Sequence, residues 1–200
     1  MKNKSLMLLL ILSFLIGGFA CGTKNKLGET VAPVFLVVDA IEPLHFTPVY
    51  NLAKHFGDVN FNGEPLDEIV QVTLSNEFKN PAAVTSSSYQ DIYVQSYRVS
   101  FLRTDGGADV PDSFERTISY RIRAGETATI NKLVILKAHQ KLQPPLEYLQ
   151  PWSLGFEPTT NYFSITCQVF LEFTGETVTG EEVYASGTFM ITFMDYADSE

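Results

Sequence analysis

From Pro33 onward, apolar side chains recur at every second position, the signature of strands with one face turned into a core. The clearest run places Ile165, Cys167, Val169, Leu171 and Phe173 on one face, alternating with Thr166, Gln168, Phe170 and Glu172. A second run carries Val183, Ala185, Phe189, Ile191 and Phe193 on one face. The segment 175–180, flanked by Gly175 and Gly180, joins the two as an antiparallel hairpin. Further strands are predicted at 34–41, 68–78 (Val70, Val72 and Leu74 inward), 92–103, 115–123 (Ile118, Tyr120, Ile122) and 126–137. In the last of these the alternation slips at Asn131-Lys132, which predicts a bulge.

Turn chemistry separates these runs at Asn80-Pro81, Asp105-Gly106-Gly107 and Ala124-Gly125-Glu126. No amphipathic helix of useful length is present. The stretch 144–149 allows one short helical turn, because proline is tolerated at a helix start. Seven short antiparallel strands with long irregular connections predict an all-β fold, a single immunoglobulin-like β-sandwich over residues 33–200. A closed barrel is the alternative arrangement. There is no internal repeat, which argues against a solenoid or propeller.

The first residues follow a different pattern. Lys2 and Lys4 precede an apolar run from Leu6 to Phe19, shorter than the roughly 20 residues a spanning helix needs. The run ends in Gly17-Gly18-Phe19-Ala20-Cys21-Gly22, which resembles the lipobox of bacterial lipoproteins, with Gly18 where that family carries leucine. The resemblance implies that residues 1–20 are a signal peptide, that the Cys21 thiol takes a diacylglycerol, and that cleavage falls before it. Because residue 22 is Gly rather than Asp, the same resemblance implies the outer membrane of a two-membrane bacterium. Residues 21–32, polar and without periodicity, read as a flexible tether.

Several strings extend that likeness into the body: residues 97–107 (YRVSFLRTDGG), 123–128 (RAGETA), 144–149 (PPLEYL) and 173–177 (FTGET). Together they resemble a group of uncharacterised bacterial lipoproteins. The shared strings are turns and strand ends, so the likeness implies fold and address and carries no activity.

Charge narrows the partners. The chain has a formal net charge of −9; without Lys2 and Lys4 the mature part holds 12 basic and 23 acidic side chains, a net of −11. Such a surface repels phosphate backbones, so nucleic acid is not an expected partner. The two cysteines give no disulfide framework once Cys21 is lipidated, and Cys167 falls on the apolar face of its strand, where a thiol is a small hydrophobe.

One loop has the spacing of a cation site. In residues 58–68, Asp58, Asn60 and Asn62 fall at loop positions 1, 3 and 5, and Gly63 at 6, the first half of a calcium loop. Asp67 and Glu68 fall at 10 and 11, one short of the bidentate acid an EF-hand places at 12. Polar connecting loops collect the same residue types for turn geometry. A second acidic set, Asp105, Asp109 and Asp112, reads as a hairpin loop.

The three histidines, His45, His55 and His139, lack zinc-ligand spacing. No Gly-x-Ser-x-Gly elbow, His-Glu-x-x-His helix or phosphate-binding glycine loop occurs, and Ser86-Ser87-Ser88 reads as a loop before a strand. Arg98, Arg121 and Arg123 can share an outward face on adjacent strands, either as a docking stripe or paired with local carboxylates. Trp152, bounded by Pro151 and Gly155, either caps the core or is an exposed contact. The sequence therefore predicts no catalytic residues and no cofactor other than a candidate Ca2+. The expected role is a membrane-anchored lipoprotein, held by lipid on Cys21, serving as a non-catalytic binding or assembly component of the envelope with an envelope protein as partner. The alternative is a calcium- or small-ligand-binding module on the 58–68 loop.

Overall fold

A computed structural model of the chain describes residues 32–44, 55–59, 64–80, 82 and 87–195, with only the backbone of residues 55 and 56. Eight strands carry it: β1 (Val34–Pro43), β2 (His55–Asp58), β3 (Glu68–Phe78), β4 (Ile92–Arg103), β5 (Phe114–Ile122), β6 (Thr127–Leu136), β7 (Ser164–Thr177) and β8 (Glu182–Met194). They form a three-stranded sheet in the order β1-β3-β6 and a five-stranded sheet in the order β2-β8-β7-β4-β5. In an immunoglobulin-like sandwich, β1, β3 and β6 take the places of strands A, B and E, and β8, β7 and β4 those of G, F and C.

Alternation places the core where the sequence predicts it. Val70, Val72 and Leu74 of β3 and Ile165, Cys167, Val169, Leu171 and Phe173 of β7 are all buried, facing one another between the sheets. Tyr97 of β4 joins the layers. Its ring packs 6.2 Å from that of Phe173, and its hydroxyl donates to the Val134 carbonyl of β6 at 2.9 Å. A buried hydroxyl needs such a partner, so this bond fixes how the two sheets meet.

The predicted slip at Asn131-Lys132 is a bulge. Val72 faces Ile130 and Val70 faces Leu133, so two β6 residues oppose one, and Lys132 takes a φ of 57°. The helical turn near residue 146 is a 3-10 turn over Leu146–Leu149.

Two features depart from expectation. Strand β2 is an eighth strand, only four residues long, and it pairs parallel to β8, so the five-stranded sheet is mixed rather than antiparallel. Four residues reading His-Phe-Gly-Asp are too few to show alternation. The β7–β8 hairpin also turns later than the predicted 175–180 reversal, because β7 continues through Thr177. Gly175 lies within the strand, opposite a β4 bulge between Val94 and Ser96, where a Cβ would come within 2.6 Å of the Tyr93 carbonyl oxygen. Gly180 holds the turn itself, at φ 84°.

The antiparallel ladders fix the two ends of the sandwich. Val34, where the chain joins β1, pairs with Phe78, at the end that also holds Ile92, Ile122, Thr127 and Glu182. The opposite end holds Glu68, Arg103, Phe114, Leu136, Ser164 and Met194, and the long 137–163 connection leaves from it and returns to it.

Phe173→Ala removes a ring that packs on both Tyr97 and the sheet interior. It should cost about 3–5 kcal/mol, measured as a drop in the urea midpoint of the full-length protein with an unchanged m-value.

Candidate functional site

The 137–163 connection is the longest in the described part of the chain, and connections beyond about 12–15 residues are commonly functional. Its first part is rigid. A 3-10 turn over Ala138–Leu142 is held by the Gln140 carboxamide, which accepts from the Lys137 N–H and donates to the Asp112 carbonyl. Lys141 points inward with its side chain 1% exposed, and its ammonium donates to the Asp58 carbonyl and to Glu68 Oε1, the latter at 2.7 Å. Gln150 completes the knot by donating to the Val59 and Lys141 carbonyls.

This knot bears on the calcium loop. Asn60 and Asn62 lie outside the described residues. Of the other three candidate ligands, Glu68 is held by Lys141, Asp67 accepts from the Ala138 N–H at 2.7 Å, and the Asp58 carbonyl takes the same ammonium. Burial lifts the Glu68 carboxyl above its usual range even with the Lys141 charge beside it. A side-chain ammonium therefore occupies Glu68 and the Asp58 carbonyl, and a metal cation at Glu68 would have to compete with it. Among the described residues, no group of three or more His, Cys, Asp or Glu side chains is placed to hold a metal ion.

Arg103 organises the rest of this end. It continues the inward series Tyr97, Val99, Phe101 of β4, so its guanidinium arrives between the sheets with its side chain 2% exposed. A charge taken from water needs partners, and two segments supply them. Nε donates to Asp105 at 2.6 Å, Nη1 donates to the Asp109 carbonyl at 3.0 Å, and Nη2 lies 3.6 Å from the Glu157 carboxylate. Asp105 also accepts from the Gly107 and Thr166 amides, so burial, which pushes its carboxyl up, is outweighed and the carboxyl lies below its usual range. Gly107 packs so close to the guanidinium that a Cβ there would fall 2.1 Å from Nη2.

Glu157, its side chain 2% exposed, lies within the segment 151–163. Its carboxylate accepts from the Thr159 and Thr160 amides and the Thr160 hydroxyl. Burial pushes this carboxyl up, but the Thr160 and Thr159 hydrogen bonds outweigh it and hold it at about 2. The only charged side chain of the segment is thus turned inward, and what remains outside is uncharged and largely apolar: Trp152 (59% exposed), Leu154, Tyr162 and Phe163 (73% exposed). Trp152 is exposed and not a cap on the core.

The other sequence candidates have local explanations. Cys167 is buried opposite Arg103, and burial drives its thiol up to about 12, so it is a core residue without nucleophilic character. Asp109 and Asp112 are exposed on the 104–113 loop and lend only backbone carbonyls to Arg103 and Gln140. Arg121 holds Asp91, Arg123 lies 4.0 Å from Glu126, and Arg98 is flanked across the sheet by Glu115 and Glu172, so the arginine stripe is compensated by carboxylates. Ser87 caps a short 3-10 turn, Ser88 begins it, and Ser86 lies outside the described residues. His139 is exposed on its turn, His45 lies outside the described residues, as does the side chain of His55, and so does Cys21.

Three of the residues that build this end, Arg103, Lys141 and Glu157, were not singled out by sequence. Lys141 and Glu157 carry no pattern. Arg103 carries one that could have found it, since it falls in phase with Tyr97, Val99 and Phe101. No protein-family model, curated protein or solved structure matches the chain.

Two outcomes follow from the buried charges. A carboxyl whose folded pKa is depressed contributes stability that is complete above its ordinary value of 4.5 and is lost as pH falls through about 2. Urea unfolding between pH 5 and 2 should therefore show stability falling, with Glu157→Gln flattening the slope in that window. Arg103→Met, which strands two buried carboxylates, should cost about 3–5 kcal/mol at pH 7. Calcium at millimolar concentration should leave the thermal midpoint unmoved, because any ion that bound the native state would raise it.

Proposed function

We propose that the protein is a lipid-anchored, non-catalytic binding component of a bacterial envelope, which meets its partner through the 151–163 segment. Three things support the anchor: the charged start, the short apolar run and the Ala20-Cys21-Gly22 junction that resembles a lipobox. On this reading Cys21 carries the lipid, residues 22–32 are the tether, and the outer membrane is the address.

The single observation carrying the binding role is the exposed aromatic segment set on a fixed base. On a chain with a net charge of −11 once Lys2 and Lys4 are gone, residues 151–163 present no charge to solvent. Aromatic side chains in uncharged surroundings are the composition of interface centres, where a few anchors dominate affinity. The Arg103 clamp pins the segment to β4 and to the 104–113 loop, which lowers the ordering cost of binding. The segment also lies at the end of the sandwich opposite Val34, where the chain enters β1.

Two measurements test the reading. Cys21→Ser should release the protein from the membrane fraction; a variant that matures and stays bound as before overturns the anchor. A photo-crosslinking residue at Trp152 or Phe163, in the full-length protein in its native envelope, should give discrete adducts that the same residue at Tyr89, on the opposite end, does not. Identical adducts from both ends, or none from the segment, reject the binding surface. Trp152→Ser should abolish the adducts formed at 163 while changing stability by no more than about 0.5 kcal/mol.

A further inference from the structure

Strand β5 is the outermost strand of the five-stranded sheet, and β4 is its only ladder partner among the described residues. Six of its nine residues are exposed, so its outer row of N–H and C=O groups is a template for another strand. The other edges are covered or interrupted in part: β2 covers β8 along residues 191–194, β6 is bulged at Lys132, and β1 slips register at Asp39.

The sequence of β5 is complementary to itself. Outward from Ile118 in both directions, Thr117 matches Ser119, Arg116 matches Tyr120, Glu115 matches Arg121 and Phe114 matches Ile122. A two-fold axis through Ile118 places each residue opposite its match on a second, antiparallel copy. The pairs are then hydroxyl with hydroxyl, cation with aromatic ring, carboxylate with guanidinium, and apolar with apolar. Moving the axis one residue, to Ser119, sets Arg116 against Ile122 and Thr117 against Arg121, and Glu115 then falls opposite Arg123, just past the strand. The axis through Ile118 sets no charged residue of the strand against an apolar one.

We propose that β5 pairs with β5 of a second copy of this chain, antiparallel and centred on Ile118, so that two five-stranded sheets become one continuous sheet.

The surrounding geometry accommodates the pair. Arg121 uses Nε and Nη2 on Asp91, at 2.8 and 2.5 Å, which leaves its Nη1 donors for Glu115 of the second copy. The register slip against β4 falls near Ile118-Ser119 and tightens the local twist; a two-fold gives both strands the same twist, and two-stranded pairs tolerate strong twist well. The proposal is independent of the anchor, and Cys21→Ser leaves it intact.

The test uses the full-length protein in detergent. Thr117 and Ser119 are both exposed, and across the axis they lie directly opposite, about 4.5–5.5 Å apart and within disulfide reach. Thr117→Cys and Ser119→Cys proteins, mixed and oxidised, should give a covalent dimer on a non-reducing gel. Either alone should give no more than the unsubstituted chain, whose Cys21 and Cys167 set the background, since like positions lie about 7–8 Å apart on the diagonal. Glu115→Arg, at an exposed position, should weaken dimerisation at least tenfold by sedimentation velocity with an unchanged circular dichroism spectrum. A chain that sediments as a monomer at tens of micromolar, a covalent dimer from one variant alone, or an edge that pairs only with an acidic strand of another protein would each overturn the proposal.

Discussion

The far end of this sandwich is built around one problem, how to bury the Arg103 guanidinium. Desolvating a cation costs several kcal/mol, so the fold survives only if acceptors from elsewhere in the chain converge on it. The hydrogen-bond acceptors come from the 104–113 connection, Asp105 and the Asp109 carbonyl, and a counter-charge comes from 151–163, the Glu157 carboxylate 3.6 Å from Nη2. Neither connection has regular structure of its own. Each is ordered because leaving would strand a buried charge, and their surfaces are therefore presented in one arrangement.

Lys141 solves the same problem for the neighbouring segment. Its ammonium pulls the 138–142 turn onto the Asp58 carbonyl of β2 and the Glu68 carboxylate of β3, while Gln150 holds Val59. The short parallel strand β2 is thus fixed from both sides, by β8 through its ladder and by Lys141 through its last carbonyl. The opposite end is tied by Asn76, which donates to the Gln90 and Ile122 carbonyls, and by the buried Asp91 carboxylate, which accepts from the Ala124 amide and from the half-exposed Arg121. The buried cations of the described residues, Arg103 and Lys141, both lie at the end that carries the exposed aromatic segment.

What the sequence made legible follows from which interactions have a period. Strands β3 and β4 lie at the predicted residues, and the bulge at Lys132 shows as a slip in alternation, because burial of every second side chain is written directly into residue order. Strand β2 has no such trace: four residues pairing in parallel with the last strand depend on a contact far away in sequence. The loops were readable as polar connections, but not the reason for their order. A charged residue is expected at the surface, and Lys141 and Glu157 look like any surface charges until their partners are seen. Arg103 is the instructive case, since its phase on β4 pointed inward while its charge pointed outward, and phase won. The spacing of 58–68 read as a calcium loop, and nothing in that spacing shows that Glu68 and the Asp58 carbonyl accept from the Lys141 ammonium.

A sandwich has two kinds of surface to offer, its end loops and its open edges, and the two are controlled differently here. End loops gain specificity by being held still, which the Arg103 clamp provides by turning the one charge of 151–163 inward. Edges are the opposite case, since an unpaired strand binds any extended chain unless something forbids it. At β8 the partial cover of β2, and at β6 and β1 a bulge and a register slip, interrupt the unpaired row. On β5 the slip near Ile118 is joined by a palindromic order of charges and rings that penalises most strands while matching its own copy. In that pairing each exposed side chain of β5 meets a complementary one on the second copy.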